Sequence, residues 1–290
     1  MLDLEGAEHC LVQGVIANYI SHTRGGAPGS SLGEKSGIYV SGINNTIRDC
    51  EIAYSAGDGV SLNGTGHRLI NCWVHHTDYM GCSAAAGVRF SGNGHLISNN
   101  TINDTGRDLI QYSGSANIIQ YNNIYRCGLL AEDLGFTYTC ATDGANTEIH
   151  HNWFHDNMAK HVSSSAGVYF DNFTSNYLVH HNVIWGVNGL TLQLNRPSNG
   201  ITAFNNTIIG RVGHWGRWEE DRMYGDLLAN NLITDRINSH PDMDLFNNLI
   251  GIPDGRLNPK NFRDNSRPGR QQGRIIPGIT DGFPDSPFQR

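Results

Sequence analysis

A doublet of polar residues followed by an aliphatic residue recurs along the chain and constrains the fold more than any other feature. In most copies the doublet ends in asparagine, and the copies lie 17 to 30 residues apart. The copies read Asn99-Asn100-Thr-Ile102, Asn122-Asn123-Ile-Tyr125, His151-Asn152-Trp-Phe154, His181-Asn182-Val-Ile184, Asn205-Asn206-Thr-Ile208, Asn230-Asn231-Leu-Ile233 and Asn247-Asn248-Leu-Ile250. Two earlier copies, Asp49-Cys50-Glu-Ile52 and Asn71-Cys72-Trp-Val74, carry cysteine in the second position. Self-similarity at such a period indicates a stacked repeat.

Each repeat is built from short stretches in which apolar and polar residues alternate. Examples are GVSL at 59–62, GVRF at 87–90 and GVYF at 167–170. Alternation over four to six residues is typical of β-strands, and the abundant glycine and asparagine separate the strands with turns. No segment shows helical periodicity. A leucine-rich repeat would need regular leucines and a helical half, and the sequence has neither.

Three short strands in each repeat predict an all-β fold, a single-stranded parallel β-helix of about ten coils. Equivalent residues of neighbouring coils then lie about 4.8 Å apart, so corner asparagines can hydrogen-bond one another in an Asn ladder. The predicted ladder consists of Asn100, Asn123, Asn152, Asn182, Asn206, Asn231 and Asn248. Cys50 and Cys72 fall at one corner of adjacent coils. They are either bridged or stacked as thiols, and stacking is favoured because buried cysteine behaves as a small hydrophobe.

Over about residues 10–250 the chain resembles the right-handed parallel β-helix superfamily, which has the pectate-lyase-like fold. The segments TDGANTEIHHNWFHDN (142–157) and GVYFDNFTSNYLVHHNVIW (167–185) are similar to bacterial β-helix proteins of carbohydrate-active function. The superfamily includes polysaccharide lyases, several glycoside hydrolase families and uronate epimerases. The resemblance implies a right-handed helix, a polysaccharide or oligosaccharide partner, and an extracellular or periplasmic location. It does not specify the reaction, since one fold hosts many functions.

Composition limits the classes of partner. The net charge is −7 with 20 Lys and Arg residues and no basic run, which excludes a typical nucleic-acid-binding surface. No apolar stretch could span a membrane.

We expect a monomer with one β-helix domain at residues 1–250 and a Pro/Gly/Arg-rich tail at 251–290. The repeat starts without a signal peptide or polar cap, which would fit a fragment of a longer secreted protein. The six cysteines lack CxxC spacing, so a structural zinc site is not expected.

A site on a β-helix must lie on an outer face, because side chains fill the core. The predicted outward positions of the first strand in each coil are Tyr39, Ser61, Arg89, Gln111, Thr139, Tyr169 and Gln193. Such residues suit a polymer whose hydroxyls need hydrogen bonds and whose rings stack on aromatics, although an ordinary solvated sheet face would look similar. Long loops precede these strands and typically line a binding face. We expect Tyr169, Gln111, Arg89, Thr139 and the loop residue Asp108 to bind substrate.

Asp143 and Asp171 are the predicted catalytic pair. Both follow directly on the first strand of neighbouring coils, which places their backbones roughly 8 Å apart. That spacing suits an inverting glycosidase, in which one carboxyl group is the general acid and the other activates water. Thr142-Asp143-Gly144 also resembles part of the Asn-Thr-Asp motif of polygalacturonase-like hydrolases, although the other motifs of that family are missing. Turn-capping aspartates are the alternative interpretation.

A polysaccharide lyase or uronate epimerase would use different residues. Removing a proton beside a uronate carboxylate needs a base and a cation, and Lys160, His161 and Arg89 are the candidates. The cofactor question stays open, with Ca²⁺ expected only for a lyase. A third alternative is a non-catalytic β-solenoid that binds glycans or serves as a scaffold.

Two further groups of residues carry possible functions. His150-His151 and His180-His181 precede ladder asparagines and more naturally cap the corner than bind a metal, because the sequence indicates no further ligands. Trp215, Trp218 and Tyr224 could either stack on sugars or close the end of the core.

Overall fold

The computed structural model describes residues 2–22, 36–81, 85–161, 165–216 and 222–251. These residues form 31 strands, numbered β1 to β31 in chain order, and three parallel sheets. Among the described residues there is no helix of the length and apolarity that crossing a membrane requires. The predicted tail, residues 251–290, lies outside the described residues except for Gly251. Trp218 also lies outside them.

Successive coils contribute one strand to each of the three sheets, except that the last described coil, at residues 244–250, contributes strands to sheets B and C only. The chain therefore folds as a parallel β-helix. Sheet A contains β1 (Leu2–Glu8), β4 (Ile38–Ile43), β7 (Val60–Thr65), β10 (Ala86–Asn93), β13 (Asp108–Tyr112), β16 (Thr137–Thr139), β19 (Ala166–Phe170), β22 (Leu190–Leu194) and β26 (Arg211–Gly213). Sheet B contains β2 (Leu11–Gln13), β5 (Thr46–Arg48), β8 (Arg68–Ile70), β11 (Leu96–Ser98), β14 (Ile118–Gln120), β17 (Asp143–His150), β20 (Thr174–His180), β24 (Thr202–Phe204), β28 (Leu227–Ala229) and β30 (Asp244–Phe246), with β23 (Ser198–Asn199) and β27 (Met223–Tyr224) beside them. Sheet C contains β3 (Ile16–Ser21), β6 (Glu51–Ser55), β9 (Trp73–Thr77), β12 (Thr101–Thr105), β15 (Asn123–Tyr125), β18 (Trp153–His155), β21 (Val183–Trp185), β25 (Thr207–Ile208), β29 (Leu232–Ile233) and β31 (Leu249–Ile250).

The core consists of columns of side chains that stack from coil to coil. One column in sheet A follows the strand register and contains Ile38, Val60, Val88, Ile110, Thr137, Val168, Leu192 and Val212. All of these side chains are fully buried. Burying one such aliphatic side chain contributes about 1.5–3 kcal/mol, so the repeated column is the main stabilising element of the solenoid.

A second column consists of asparagines at the corner between sheets B and C. From Asn122 onward, the side-chain oxygen of each accepts hydrogen bonds from the backbone and the amide of the asparagine one coil earlier; Asn122 donates to Asn152 in this way at 2.9 and 3.0 Å. The side-chain oxygen of Asn100 accepts the backbone N–H of Cys72 instead. The linked residues are Asn100, Asn122, Asn152, Asn182, Asn206, Asn231 and Asn248. Asn122, not the predicted Asn123, occupies the corner, because Asn123 is already paired with Thr101 as the first residue of its strand.

The cysteines at the same corner are free thiols. Cys50 and Cys72 are both buried and neither forms a disulfide. Their thiols contact one another, and this contact lowers the pKa of Cys50 to about 7. Stacked thiols are therefore the arrangement found.

Candidate functional site

The outer face of sheet A carries a column of polar side chains, as the alternation of the strands predicts. The strand register aligns Tyr39, Ser61, Arg89, Gln111, Tyr138, Tyr169 and Gln193. Tyr138 takes the position that was predicted for Thr139. Thr139 pairs with the core residue Phe170 and is only 1% exposed, so its side chain faces inward. The prediction of an outward Thr139 was wrong by one residue because the strand Thr137–Thr139 is polar on both faces.

Asp171 lies directly after β19, at the end of this face. Its carboxylate accepts hydrogen bonds from the Tyr138 hydroxyl at 2.8 Å and from the Asn195 amide nitrogen at 2.7 Å. The backbone N–H of Asn172 donates to the same carboxylate at 2.9 Å. The donors come from three successive coils, so the solenoid itself fixes the position of this carboxylate.

Asp133 approaches the face from the loop before β16. Its carboxylate accepts a hydrogen bond from the Tyr169 hydroxyl at 3.4 Å. The same hydroxyl accepts one from the Asn195 amide nitrogen at 3.0 Å. Asn195 therefore links both carboxylates: it contacts Asp171 directly and Asp133 through Tyr169.

The orientation of the Asn195 amide follows from its surroundings. Its oxygen accepts hydrogen bonds from the Gln193 side chain at 3.0 Å and from the Trp215 backbone N–H at 3.1 Å. With two donors on the oxygen, the amide nitrogen must face Tyr169 and Asp171. The Trp215 side chain is 55% exposed beside this network and offers an aromatic surface to solvent.

Both tyrosines of the network stay protonated at neutral pH. Burial raises the pKa of Tyr138 well above its usual range, and the nearby Asp171 carboxylate raises it further. Burial and the Asp171 and Asp133 carboxylates raise the pKa of Tyr169 in the same way. The two phenols are therefore hydrogen-bond donors or acids, and they cannot serve as bases near pH 7.

An arginine supports the network from below. Arg107 pairs with Asp108 at 3.1 Å, lies 3.7 Å from the Asp133 carboxylate and stacks over the Tyr138 ring at 5.2 Å. Asp108 is fully buried and accepts the Gly135 N–H at 2.9 Å, so it does not face the surface where substrate was expected. Burial raises the pKa of Asp108 to about 7, against the opposing charge of Arg107. The Asp108 side chain therefore positions Arg107.

A groove of about 210 Å³ extends along the same face toward the N-terminal coils. Its lining includes Arg89, Gln111 and Tyr138. Arg89 is 22% exposed and donates to the buried Asp58 at 2.8 Å, which leaves its guanidinium oriented and largely neutralised. Gln111 and Arg89 thus lie on the expected face, in line with the Asp171 network.

The structure does not bring Asp143 together with Asp171. Asp143 begins a strand of sheet B, pairs with Ser175 and is exposed. Its carboxylate accepts hydrogen bonds from the Asn176 amide and the Ala145 N–H, both at 2.9 Å, and these lower its pKa. Asp171 lies at the end of sheet A and has other partners. Asp143 therefore has the environment of a turn-capping aspartate.

Lys160 and His161 lie in the loop before β19 and are exposed. His161 contacts Glu132 at 3.2 Å, next to Asp133 in the chain, so this loop borders the network without entering it. Asp133, Tyr138 and Asn195 were not predicted as site residues. The register offered one signal: Asn195 follows β22 as Asp171 follows β19, since Phe170 pairs with Leu194.

The family match and the alginate epimerase structure agree with the observed architecture. A family model described as the right-handed beta helix region matches residues 36–208. No curated protein matches the sequence. The crystal structure of the periplasmic alginate epimerase AlgG is similar with a TM-score of 0.58 and 12% identity, covering 86% of this chain and 61% of that one. The Dettilon tailspike protein (gp208) matches with a TM-score of 0.38 and 14% identity, covering 85% and 55% of the two chains.

The chain spans less than two thirds of the length of these solved proteins. At such low identity the likeness concerns the fold alone.

Proposed function

The chain belongs to the right-handed beta helix family, and we propose that it is a carbohydrate-active enzyme. A polysaccharide or oligosaccharide lies along the outer face of sheet A and is cleaved by hydrolysis at Asp171 and Asp133. The observation that carries this proposal is the hydrogen-bond network that holds these two carboxylates at opposite ends of the Tyr169–Asn195 contact.

The spacing of the carboxylates is compatible with acid–base hydrolysis. Contacts of 3.4, 3.0 and 2.7 Å connect them through Tyr169 and Asn195. Their nearest oxygens are therefore no more than about 9 Å apart, a limit that covers both the wider spacing of inverting glycosidases and the closer spacing of retaining ones. In this proposal one carboxyl group protonates the leaving oxygen and the other activates the water. Tyr138, Arg89 and Gln111 bind hydroxyls of the sugar chain, and Trp215 stacks against a ring.

The charges on the face favour a neutral glycan over a uronate. Arg89 and Arg107 each have an aspartate partner, and the two accessible carboxylates would repel a substrate carboxylate. The two protonated tyrosines also cannot remove a proton. The groups on this face therefore suit hydrolysis better than elimination.

A uronate lyase or epimerase is the second candidate, favoured by the exposed His161 beside Glu132 at the edge of the face. His161 or Lys160 would be the base, Arg89 would bind the uronate carboxylate, and a lyase of this kind would use Ca²⁺. The alginate epimerase of similar fold is periplasmic, and we propose a periplasmic or extracellular site of action for this chain as well.

A panel of polysaccharides tests the reaction, with new reducing ends and the ultraviolet absorbance of unsaturated uronates measured together. Reducing ends without that absorbance are expected. Both signals together would establish elimination, and inverted uronates by NMR would establish epimerisation. A chain that binds glycans in a pull-down but changes none of them would be the non-catalytic solenoid.

Substitutions on a cleaved substrate then test the residues. Asp171→Asn and Asp133→Asn are each expected to lower kcat at least about 100-fold, as the loss of an acid or base does. Asp244→Asn, an exposed sheet B variant, is the matched control and keeps full activity. If Asp143→Asn lost activity while Asp133→Asn kept it, the catalytic pair would be Asp143 with Asp171, as the sequence predicts, and the proposed pair of Asp133 with Asp171 would be wrong. A loss confined to Lys160→Ala or His161→Ala would favour the lyase.

A further inference from the structure

Four histidines form a cluster on the side of the solenoid away from sheet A. His150 and His180 end the paired strands β17 and β20 and are aligned in register. His151 and His181 follow them in the left-handed conformation, with φ of 55° and 54°. The stacking of coils thus turns two consecutive histidine pairs, thirty residues apart in sequence, into one compact group.

The imidazole rings meet in two ways. Within each pair the Nδ1 atoms approach to 2.8 Å for His150–His151 and 2.9 Å for His180–His181. Between the coils the rings stack in parallel, with centroids 4.8 Å apart for His150–His180 and 5.0 Å apart for His151–His181. His150, His151 and His180 each offer one nitrogen such that all three lie within 4.8 Å of one another.

Neighbouring residues close the cluster at both ends. Tyr121 packs against His151 at a ring distance of 5.0 Å in the coil before. Phe204 stacks on His180 at 4.8 Å in the coil after. The cluster is therefore confined to two coils and does not extend as an open ladder.

The hydrogen bonds indicate which ring nitrogens carry protons. The Asn205 amide nitrogen lies 3.3 Å from Nε2 of His181, which makes that Nε2 an acceptor and places the proton on Nδ1. His181 then donates to Nδ1 of His180. Nε2 of His180 lies 3.7 Å from a Glu148 carboxylate oxygen, and Nε2 of His150 lies 3.8 Å from the same oxygen. Both rings thus direct Nε2–H toward Glu148 and their Nδ1 lone pairs into the cluster.

A carboxylate behind the far nitrogen of a histidine is the usual support for a metal ligand. It fixes the tautomer and raises the basicity of the nitrogen that binds the metal. Glu148 lies in this position for two histidines, at distances of 3.7 and 3.8 Å that are within ion-pair range and longer than a hydrogen bond. Its side chain is 40% exposed, and His150 and His180 are 12% and 15% exposed, so an ion can reach the cluster from solvent.

We propose that this cluster binds one divalent transition-metal ion of the late first row, such as Zn²⁺, Ni²⁺ or Cu²⁺. The ligands are His150, His151 and His180, which the proposal assigns to bind through Nδ1, with Glu148 in the supporting position. Neutral imidazole nitrogen is a preferred donor for these ions. Because the His150 and His180 rings are stacked in parallel, binding at bond lengths of about 2.0–2.1 Å requires these rings to turn out of the stack until both lone pairs point at the ion. In the bound state His151 carries its proton on Nε2.

The test uses the full chain without a purification tag, stripped with EDTA and titrated calorimetrically with ZnCl₂, NiCl₂ and CuCl₂ in separate experiments. One ion per chain is expected. His150→Gln and His180→Gln should each abolish measurable binding, and Glu148→Gln should weaken it about 10- to 100-fold. Binding that persists in the folded His150 and His180 variants would overturn the proposal, as would a wild type that binds no ion.

The pair His75–His76 supplies the matched control. Its Nδ1 atoms are also 2.8 Å apart, but the chain places no second histidine pair in register beside it. His76→Gln should leave the affinity and stoichiometry unchanged; loss of binding in this variant would overturn the proposal. Should a cluster variant fail to fold, imidazole ¹⁵N NMR of the wild type decides. Zn²⁺ must shift the Nδ1 resonances of three histidines of the cluster, and unchanged resonances would reject the site.

Discussion

Asp171 shows at the scale of single residues how a solenoid builds a site. Its coil supplies the carboxylate, the coil before supplies Tyr138 and the coil after supplies Asn195. None of these side chains is near another in sequence. Parallel in-register stacking alone brings them within hydrogen-bond distance, so a residue acquires its chemistry from positions one repeat away.

Asp226 is a buried carboxyl group, and it allows a prediction of pH dependence. It accepts hydrogen bonds from the Ser198 hydroxyl at 2.5 Å and the Ile201 N–H at 2.8 Å, yet burial raises its pKa to about 6. Because the folded pKa exceeds the unfolded one, its contribution to stability is present below about pH 4 and is lost as the pH rises through about 6. That loss is about 3 kcal/mol.

The variant Asp226→Asn cannot ionise. Relative to wild type, its free energy of unfolding should therefore rise by about 2 kcal/mol between pH 4.5 and 7.5, measured by urea denaturation. Asp143→Asn should show almost no trend over this range, because hydrogen bonds lower the pKa of Asp143 in the folded state and its contribution to stability changes only below about pH 4. A difference between Asp226→Asn and wild type that stays constant with pH would contradict the assignment.

Tight contact between coils is the dominant constraint at the scale of the strand and its turn. Gly42, Gly64, Gly92 and Gly114 occupy equivalent positions in successive coils, with φ between 95° and 123°. A Cβ at Gly92 would collide with the carbonyl oxygen of Gly64 in the coil before. The strands can approach to hydrogen-bonding distance at this bend only because the side chains are absent.

Gly92→Ala should therefore destabilise the fold by well over 2 kcal/mol, combining backbone strain at positive φ with the collision. Gly94→Ala is the control in the neighbouring turn. Its φ is 68° and a Cβ there would meet nothing within 4 Å, so only the conformational cost of about 1–2 kcal/mol is expected. Thermal denaturation of both variants measures the contrast. Equal destabilisation would show that strain alone, without the contact between coils, sets the cost.

The whole molecule behaves as a one-dimensional stack. Coils in the middle have neighbours on both sides, whereas the described end coils expose apolar side chains such as Leu11, Ile16, Phe246 and Leu249. Stability in such arrays is the sum of each unit and its interfaces, so units with one interface are the least stable.

Amide hydrogen exchange of the 290-residue chain should therefore slow from both ends toward the middle. We expect β1 to β3 and β30 to β31 to exchange fastest and the strands around β16 to β19 to exchange slowest. Exchange followed by mass spectrometry resolves this profile. Uniform protection along the chain would show that the solenoid opens as a single cooperative unit.

The sequence alone determined the architecture, because every copy of the repeat imposes the same physical requirement on the fold. The alternating strands, the corner residues and the absence of helical periodicity all pointed to a parallel β-helix, and the family match agrees. It also placed Arg89, Gln111 and Tyr169 on one outer column, since alternation within a strand fixes which side chains face out.

Tertiary structure decided which residues meet. Coil lengths vary, so an error of one residue in the alignment exchanges inward and outward positions, as happened with Thr139 and Tyr138 and with Asn123 and Asn122. Loops outside the repeat, such as the one carrying Asp133, have no strand register from which their positions could be predicted. The path of the chain after the strand assigned Asp143 to sheet B and left Asp171 on sheet A. Local periodicity specifies a stack, but the contacts across its coils depend on register and loop path, which only the folded chain defines.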